Sequence, residues 1–186
     1  MTIHDIQGWF DFQAYYWRIA AAMPQDAVLV ECGPWLGAST IYLAHSLLAH
    51  AKRATIYAVD TWQGSKNERE VFEPLMAQLP FQKFMEHISR FGVRHMVVPI
   101  TMDSVAAAQH FQDESIDFVF FDTEHTEEHL TAELRAWLPK LKHQRWFGGH
   151  DIAVPGVRAA VEKVLPGQLG FYSWQQVQSC WEASKP

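Results

Sequence analysis

The stretch Ala27-Val-Leu-Val-Glu-Cys-Gly-Pro-Trp-Leu-Gly-Ala-Ser-Thr40 decides the fold of this chain. Its apolar residues predict a buried β-strand that ends in an acid, and Gly33 and Gly37 bracket a turn before a helix begins. Such a turn exposes backbone N–H groups, and its glycines let a ligand approach the main chain closely. Pro34 and Trp35 stand where a dinucleotide-binding turn has its middle glycine. The stretch therefore favours a nucleoside ligand with a small charged tail over a diphosphate.

Apolar runs and helical patterns alternate along the rest of the chain. The predicted strands lie at 28–32, 55–59, 96–100, 116–121 and 146–147, with two short strands in 171–183. The predicted helices lie at 9–23, 39–50, within 67–91, and at 104–111, 127–141 and 157–165. Continuous apolar strands separated by helices are typical of a parallel sheet covered on both faces. We expect one α/β domain over residues 1–186, with ligands at the carboxyl ends of its strands.

The composition narrows the class of partner. Hydrophobic residues make up 48% of the 186 residues, which indicates a globular chain with a sizeable core. The 15 basic residues against 21 acidic ones argue against nucleic acid as the main partner. We expect no membrane span and no secretion signal, and Cys32 and Cys180 make no disulfide framework, so a cytoplasmic location is predicted. The eight tryptophans leave a homo-oligomer open.

Acids follow several of the predicted strands at the point where each strand ends. Asp60 ends the second strand, where a carboxylate can accept both ribose hydroxyls of a nucleoside held over the first turn. Asp122 ends the fourth strand, and Asp151 follows the fifth one directly after His150. Two carboxylates from neighbouring strands suit Mg²⁺, whereas His150 would shift the preference towards a transition metal. The alternative for each of these acids is an ordinary cap of a turn or helix.

A histidine and two tryptophans complete the candidate site. His125 follows Asp122 by three positions and is the candidate general base, because an imidazole titrates near neutral pH and can take a hydroxyl proton. Its alternative role is to cap or pack against the helix that follows. Trp35 and Trp62 flank the proposed nucleoside site, either to cover the base or as ordinary core aromatics.

Taken together, these motifs resemble those of class I S-adenosylmethionine (SAM)-dependent methyltransferases, in particular a small bacterial and phage O-methyltransferase-like branch. The first motif of that branch, V-E-x-G-S-W-x-G-x-S-T, corresponds to residues 30–40. The further matches are Asp60-Thr61-Trp62, Asp103-Ser104, 116–125, 136–141, Gly149-His150-Asp151, Pro155-Gly156-Val157-Arg158 and Ser179-Cys180-Trp181. Each motif is weak alone, but their shared order over most of the chain makes the set specific.

The resemblance implies a Rossmann-like, mostly parallel sheet of seven strands with the last one antiparallel, and SAM across the first two strand ends. The cofactor-binding residues it implies are Glu31, Gly33, Trp35, Gly37, Ser39, Thr40, Asp60, Thr61, Trp62, Asp103, Ser104 and Asp122. It also implies His125 and Asp122 as catalytic residues, and Asp122, His150 and Asp151 as ligands of Mg²⁺ or another divalent cation. Residues 1–25 are expected to be an N-terminal helical segment, and 64–95 a helical cap on the substrate side.

The reaction that the resemblance implies is methyl transfer from SAM to a hydroxyl of a small acceptor such as a sugar, a phenol or a secondary metabolite. The chain departs from the family pattern at Pro34, where a serine is usual, and at Thr123, where a glycine is usual. His150 stands where catechol-type enzymes carry a carboxylate. These departures keep open a catalytically silent SAM-fold module that binds a partner. A nucleotide-dependent oxidoreductase is the third hypothesis, against which the missing middle glycine argues.

Overall fold

The apolar runs form the strands of a single sheet in the computed structural model, which describes residues 1–64, 79–167, 170–171 and 179–185. The described strands are β1 (Ala27–Cys32), β2 (Ala54–Asp60), β3 (Val97–Thr101), β4 (Ile116–Phe121), β5 (Leu141–Gly149), β6 (Gly170–Phe171) and β7 (Trp181–Ser184). Their order across the sheet is β3-β2-β1-β4-β5-β7-β6. Strands β1 to β5 pair in parallel, and β7 runs antiparallel to β5. The predicted α/β fold with an antiparallel last strand is confirmed.

Helices connect the parallel strands. The described α-helices are α1 (Gln13–Ala22), α2 (Ala38–Ala49), α3 (Pro80–Arg90), α4 (Ser104–Ala107), α5 (Glu127–Trp137) and α6 (Pro155–Val164). Short 3₁₀ turns lie at Ile3–Asp5, Arg94–Met96, Ala108–His110 and Leu138–Lys140. No helix of the described segments combines the length and the apolar character that crossing a membrane requires.

The sheet separates two hydrophobic cores because successive side chains of a strand point to opposite faces. Leu29 of β1 belongs to the core built with α1, α2 and α3, whereas its neighbour Val30 belongs to the core built with α5 and α6. In β4, Phe118 and Val119 divide in the same way. Because both faces of these strands pack into a core and neither faces solvent, their sequences are continuous apolar runs.

Two helix boundaries differ from the prediction. The predicted helix at 9–23 begins only at Gln13, and residues 7–11 run instead along the cavity described below. The predicted helix at 127–141 ends as an α-helix at Trp137, because Pro139 has no N–H to donate to the preceding turn. Strand β5 then begins at Leu141, five residues before the predicted start.

The predicted substrate-side cap at 64–95 lies partly outside the described residues, which leave out 65–78. Its described part includes α3, whose Phe84 and Ile88 are fully buried in the first core. The side chain of Trp62 packs against Phe84, with ring centroids 5.0 Å apart. No residue of α3 lines the cavity, so the role of this segment as a cap stays a prediction.

Candidate functional site

A cavity of about 800 Å³ lies at the carboxyl ends of the parallel strands, a size typical of small-molecule sites. The ends of β1, β2 and β4 meet at this edge because the three strands run in parallel and in register. The cavity wall comes from residues 7–11, 33–36, 60–61, 102–104, 122–125 and 150–151, with a few neighbours. Segments far apart in the sequence therefore share one site, as expected at the strand-order switch of an open α/β sheet.

The turn after β1 depends on Gly33. Its φ of 88° lies in the left-handed region, and a Cβ there would fall 1.8 Å from the carbonyl oxygen of Asp122. The chain segments approach so closely because the Gly33 N–H donates to the Val59 carbonyl at 2.9 Å, and the Asp122 N–H donates to the Cys32 carbonyl at 2.9 Å. The glycine thus brings the first turn against the end of β4.

Asp60 organises the two tryptophan-bearing turns. Its Oδ2 accepts a hydrogen bond from the Trp35 N–H at 3.1 Å, and its Oδ1 accepts one from the Trp62 N–H at 2.7 Å. The Trp62 indole N–H donates to the Trp35 carbonyl at 2.8 Å. Both tryptophans have positive φ, 48° and 51°, so these bonds hold backbone that bulky residues rarely adopt. Trp35 lines the cavity, whereas Trp62 is buried in the core.

Glu31 lies beneath the cavity rather than on its wall. The carboxylate is buried and accepts hydrogen bonds from the Tyr16 hydroxyl at 2.9 Å and from the Thr40 hydroxyl. Burial raises the pKa of Glu31, although hydrogen bonds from Ser39, Thr40 and Tyr16 oppose the rise. The residue therefore ties β1 to α1 and α2, and so fixes the turn that carries Gly33.

A second buried carboxylate, Glu133, supports the wall beside Asp103. Asp103 caps α4 by accepting the Ala106 N–H at 3.0 Å, and its side chain lines the cavity. The neighbouring Ser104 hydroxyl donates to Glu133, and the Thr123 hydroxyl does so at 2.7 Å. The hydroxyl that Thr123 brings to the usual glycine position is thus satisfied by a buried acceptor.

Asp122, His125 and Asp151 converge at the other end of the cavity. The His125 Nε2 lies 3.0 Å from Asp151 Oδ2 and 3.8 Å from Asp122 Oδ1. This nitrogen is buried and, within the described residues, makes no contact with the geometry of a hydrogen bond. The carboxylates of Asp122 and Asp151 raise the pKa of His125 to about 10. Two negative charges therefore hold a proton on the imidazole.

His150 is enclosed by carboxylates on both sides of its ring. Its Nδ1 lies 3.0 Å from Asp151 Oδ2, and its Nε2 lies 2.9 Å from Asp11 Oδ1. Burial opposes the charge on His150, but Asp122 and Asp151 outweigh burial and raise the pKa to about 11. Burial likewise opposes the charge on Asp151, but the neighbouring imidazoles of His125 and His150 outweigh burial and lower the pKa of that carboxyl well below its ordinary value.

The donor set at this end fits a divalent cation. One ligand atom each from Asp122, His125 and Asp151 lies within 4.8 Å of the other two. Two carboxylate oxygens and an imidazole nitrogen are a usual mixed set for such an ion. His150 stands beside the set, but both of its ring nitrogens already face carboxylates.

The structure brings most of the predicted site residues to the cavity wall. Those that line it are Gly33, Trp35, Ser39, Asp60, Thr61, Asp103, Ser104, Asp122, His125, His150 and Asp151. Those outside the wall are Glu31, Gly37, Thr40 and Trp62. Sequence reasoning missed Asp11, whose bond to His150 spans 139 positions, and Glu133, whose partner Ser104 lies 29 positions away. Neither residue carries a local signal that would have identified it.

Comparison with known proteins identifies the family of the chain. Residues 30–152, two thirds of the chain, match the family model described as "Methyltransferase domain". The match extends from β1 through the first turn to the His150-Asp151 pair, so it covers most of the cavity wall.

A curated relative is the uncharacterized protein y4gI of Sinorhizobium fredii, which is 25% identical over 138 residues. That alignment takes in 74% of this chain, and the chain spans 14% of the length of the relative.

Solved structures share the fold at low sequence identity. Cofactor-bound Rv0187 from MTB has a TM-score of 0.69 at 15% identity, with 96% of this chain and 81% of that chain covered. CalS11, a TDP-rhamnose 3′-O-methyltransferase of calicheamicin biosynthesis, has a TM-score of 0.59 at 17% identity, with 92% and 76% covered. At these identities the likeness concerns the fold alone.

Proposed function

This chain belongs to the methyltransferase domain family, and on that premise we propose that it transfers the methyl group of SAM to a hydroxyl oxygen of a small acceptor. SAM use follows from the family. The choice of oxygen and the help of a divalent cation are the proposal. The observation that carries them is the convergence of Asp122, His125 and Asp151 on the cavity that also holds the glycine turn and Asp60.

The glycine-turn end of the cavity is suited to the cofactor. The exposed main chain around Gly33 offers room for the methionine part of SAM, and Asp60 offers carboxylate oxygens to the ribose. Asp103 stands on the neighbouring wall, where the adenine would lie. SAM supplies an activated methyl group, so the protein's task is to align an acceptor oxygen with it.

The histidine end is suited to the acceptor. We assign to His125 the removal of the hydroxyl proton as the oxygen bonds to the methyl carbon and the carbon–sulfur bond breaks. With its pKa raised to about 10, His125 keeps its own proton while no divalent cation offsets the charges of Asp122 and Asp151. The base is therefore competent only when another positive charge satisfies those carboxylates, which is why the proposal pairs it with a cation.

Asp122 and Asp151 are the residues that would hold the divalent cation, whereas the imidazole of His125, the third group of the set, is assigned to the acceptor's proton. When bound there, such an ion would orient an acceptor oxygen and lower the pKa of its hydroxyl. His150 has a positioning role in this scheme, because its ring holds Asp151 from one side while Asp11 fixes the ring from the other.

The proposal is tested by methyl transfer from tritiated SAM to a panel of sugars and phenols, with and without Mg²⁺. His125→Ala should lower kcat on the order of 10² to 10⁴-fold while the affinity for S-adenosylhomocysteine (SAH) is retained. His110→Ala, at an exposed histidine outside the cavity, is the matched control and should leave both unchanged. Full activity of His125→Ala would end its role as the base.

The silent-module hypothesis makes the opposite prediction in the same assay. It expects SAH to bind while no SAM is converted with any hydroxyl compound, whatever the metal. Asp122→Asn further distinguishes the enzyme from the silent module. It should abolish the Mg²⁺-dependent methyl transfer of an enzyme, whereas a silent module has no such activity to lose.

A further inference from the structure

Acidic side chains outnumber basic ones on the wall of the cavity. Six carboxylates line it, from Asp11, Asp60, Asp103, Asp122, Glu124 and Asp151, together with the imidazoles of His125, His129 and His150. No lysine or arginine is found among the described residues that line it. Even if all three imidazoles carry a proton, the described wall keeps an excess of three negative charges.

The residues outside the described segments do not change the sign of this excess. Residues 65–78 contain three acids and two bases, and 168–169 and 172–178 contain no charged residue. SAM brings one net positive charge, which leaves part of the excess unmatched. A divalent cation in place of the His125 proton adds only one charge more, and the balance over the described wall stays negative.

Aromatic rings stand beside the unmatched charge. The Trp9 side chain is 65% exposed and lines the cavity next to Phe10 and Asp11. Trp35 lines the wall beside Gly8, whose added Cβ would lie 3.4 Å from the indole. Aromatic faces attract cations, and carboxylates on a low-dielectric wall focus a negative potential into the space between them.

We propose that the methyl acceptor is a hydroxyl compound that carries an amine, and that the cavity rejects phosphorylated and carboxylated compounds. This inference rests on the proposed function and specifies the substrate class of the same site. Glu124 contributes directly, because it lies half-buried on the wall between Asp122 and His125. A phosphate or carboxylate would enter a field of its own sign without a lysine or arginine of the described wall to receive it.

The first test compares chemically matched acceptors of different charge. Dopamine, 4-methylcatechol and 3,4-dihydroxybenzoate are titrated into the SAH complex, as are glucosamine, glucose and glucose 6-phosphate. Within each series the cationic member should bind on the order of tenfold more tightly than the anionic one. Equal or tighter binding of the anionic member would overturn the proposal.

The second test measures the electrostatic potential in the cavity and needs no acceptor. Tryptophan fluorescence of the SAH complex is quenched with caesium and with iodide, and the contribution of Trp9 is the difference between the wild type and Trp9→Phe. Caesium should quench that contribution about twofold more strongly than iodide. Iodide quenching that equals or exceeds caesium quenching would overturn the proposal even if none of the acceptors binds.

A matched pair of variants assigns the effect to the wall. Glu124→Gln should reduce the caesium-to-iodide ratio, whereas Glu128→Gln removes the same charge from an exposed position outside this cavity and should not. Equal ratios in the two variants would overturn the assignment to Glu124. Failure of SAH to bind would contradict the proposed function instead. The caesium-to-iodide quenching ratio of the free protein would still measure the electrostatic potential of the cavity.

Discussion

The half of the cavity beside β1 and β2 is held by main-chain geometry, whereas the half beside β4 and β5 is held by charged side chains. In the first half, a glycine conformation and two backbone N–H groups bound to Asp60 fix the turns. In the second half, Asp122, His125, His150 and Asp151 fix one another. Backbone geometry depends less on pH than ion pairs between side chains do. The two halves should therefore respond differently to mutation, pH and metal.

The largest expected effect comes from Gly33→Ala, which attacks the main-chain half. The added Cβ would lie 1.8 Å from the Asp122 carbonyl oxygen, at a φ of 88°. We expect the free energy of unfolding to fall by about 4 kcal/mol or more, measured by urea denaturation. Gly92→Ala is the control, because its φ is 76° but no atom lies within 4 Å, and it should cost about 1 kcal/mol. Similar losses in both would show that strain, not the close approach, dominates.

Asp60→Ala should have the second-largest effect, and this effect should be on cofactor binding. It removes the acceptor of the Trp35 and Trp62 N–H groups and the proposed partner of the ribose. We expect the affinity for SAH to fall about 100-fold, the equivalent of two lost hydrogen bonds to a charged group. Calorimetry measures the effect, and Asp113→Asn, at an exposed acid paired with Lys140, is the control. An unchanged affinity in Asp60→Ala would remove Asp60 from the cofactor site.

The histidine half should make stability depend on pH when EDTA removes divalent ions. His125 and His150 have pKa values of about 10 and 11, above the ordinary 6.5. Their stabilisation is thus fully present below about pH 6.5 and is lost as the pH rises through 10 to 11. We expect a fall of about 2 kcal/mol in the free energy of unfolding, after allowance for partial exposure. His150→Asn should flatten the profile, and an unchanged slope in this variant would contradict the pairing.

Asp151 should make the stability of the protein depend on pH at the acid end of the range. The pKa of its carboxyl is lowered, so its stabilisation is present above about pH 4 and is lost as the pH falls further. Asp151→Asn should remove part of the acid-induced loss of stability, measured by denaturation between pH 2 and 5. A variant as acid-sensitive as the wild type would assign that loss to other carboxylates.

The smallest effect is expected at Asp11, which reaches the histidine half from the N-terminal segment. Asp11→Asn weakens the bonds from His150 Nε2 at 2.9 Å and Ser179 Oγ at 3.1 Å but keeps an oxygen acceptor. We expect kcat to fall about fivefold while KM for SAM stays unchanged. Loss of SAM affinity instead would place Asp11 in the cofactor half.

The contrast between the halves also explains what the sequence could predict. The glycine turn and Asp60 could be predicted from short motifs, because the conformation of a turn depends on residues that are adjacent in the sequence. The alternation of apolar strands and helices likewise predicted the fold, because a parallel sheet needs both faces buried. Asp122, His125 and Asp151 could be named as candidates, but their mutual distances depend on how β4 and β5 pair.

Contacts between distant segments lay beyond the sequence. The spacing of Trp9, Phe12 and Tyr16 continues a helical pattern, so the prediction extended the helix through Asp11. In the structure that segment lines the cavity, and Asp11 bonds to His150, which lies 139 positions further along the chain. The buried Glu133 was missed for a related reason, since its partners Ser104 and Thr123 come from other elements.

The claim that this cavity is a working SAM site is tested most directly by a calorimetric titration of the protein with SAH, once in EDTA and once in excess Mg²⁺. It predicts binding at about micromolar affinity in both buffers, together with a Mg²⁺-dependent heat that Asp122→Ala abolishes. Binding without any effect of Mg²⁺ would leave the cofactor half and remove the metal from the mechanism. An absence of binding in both buffers would contradict the central claim that this cavity is a working SAM site.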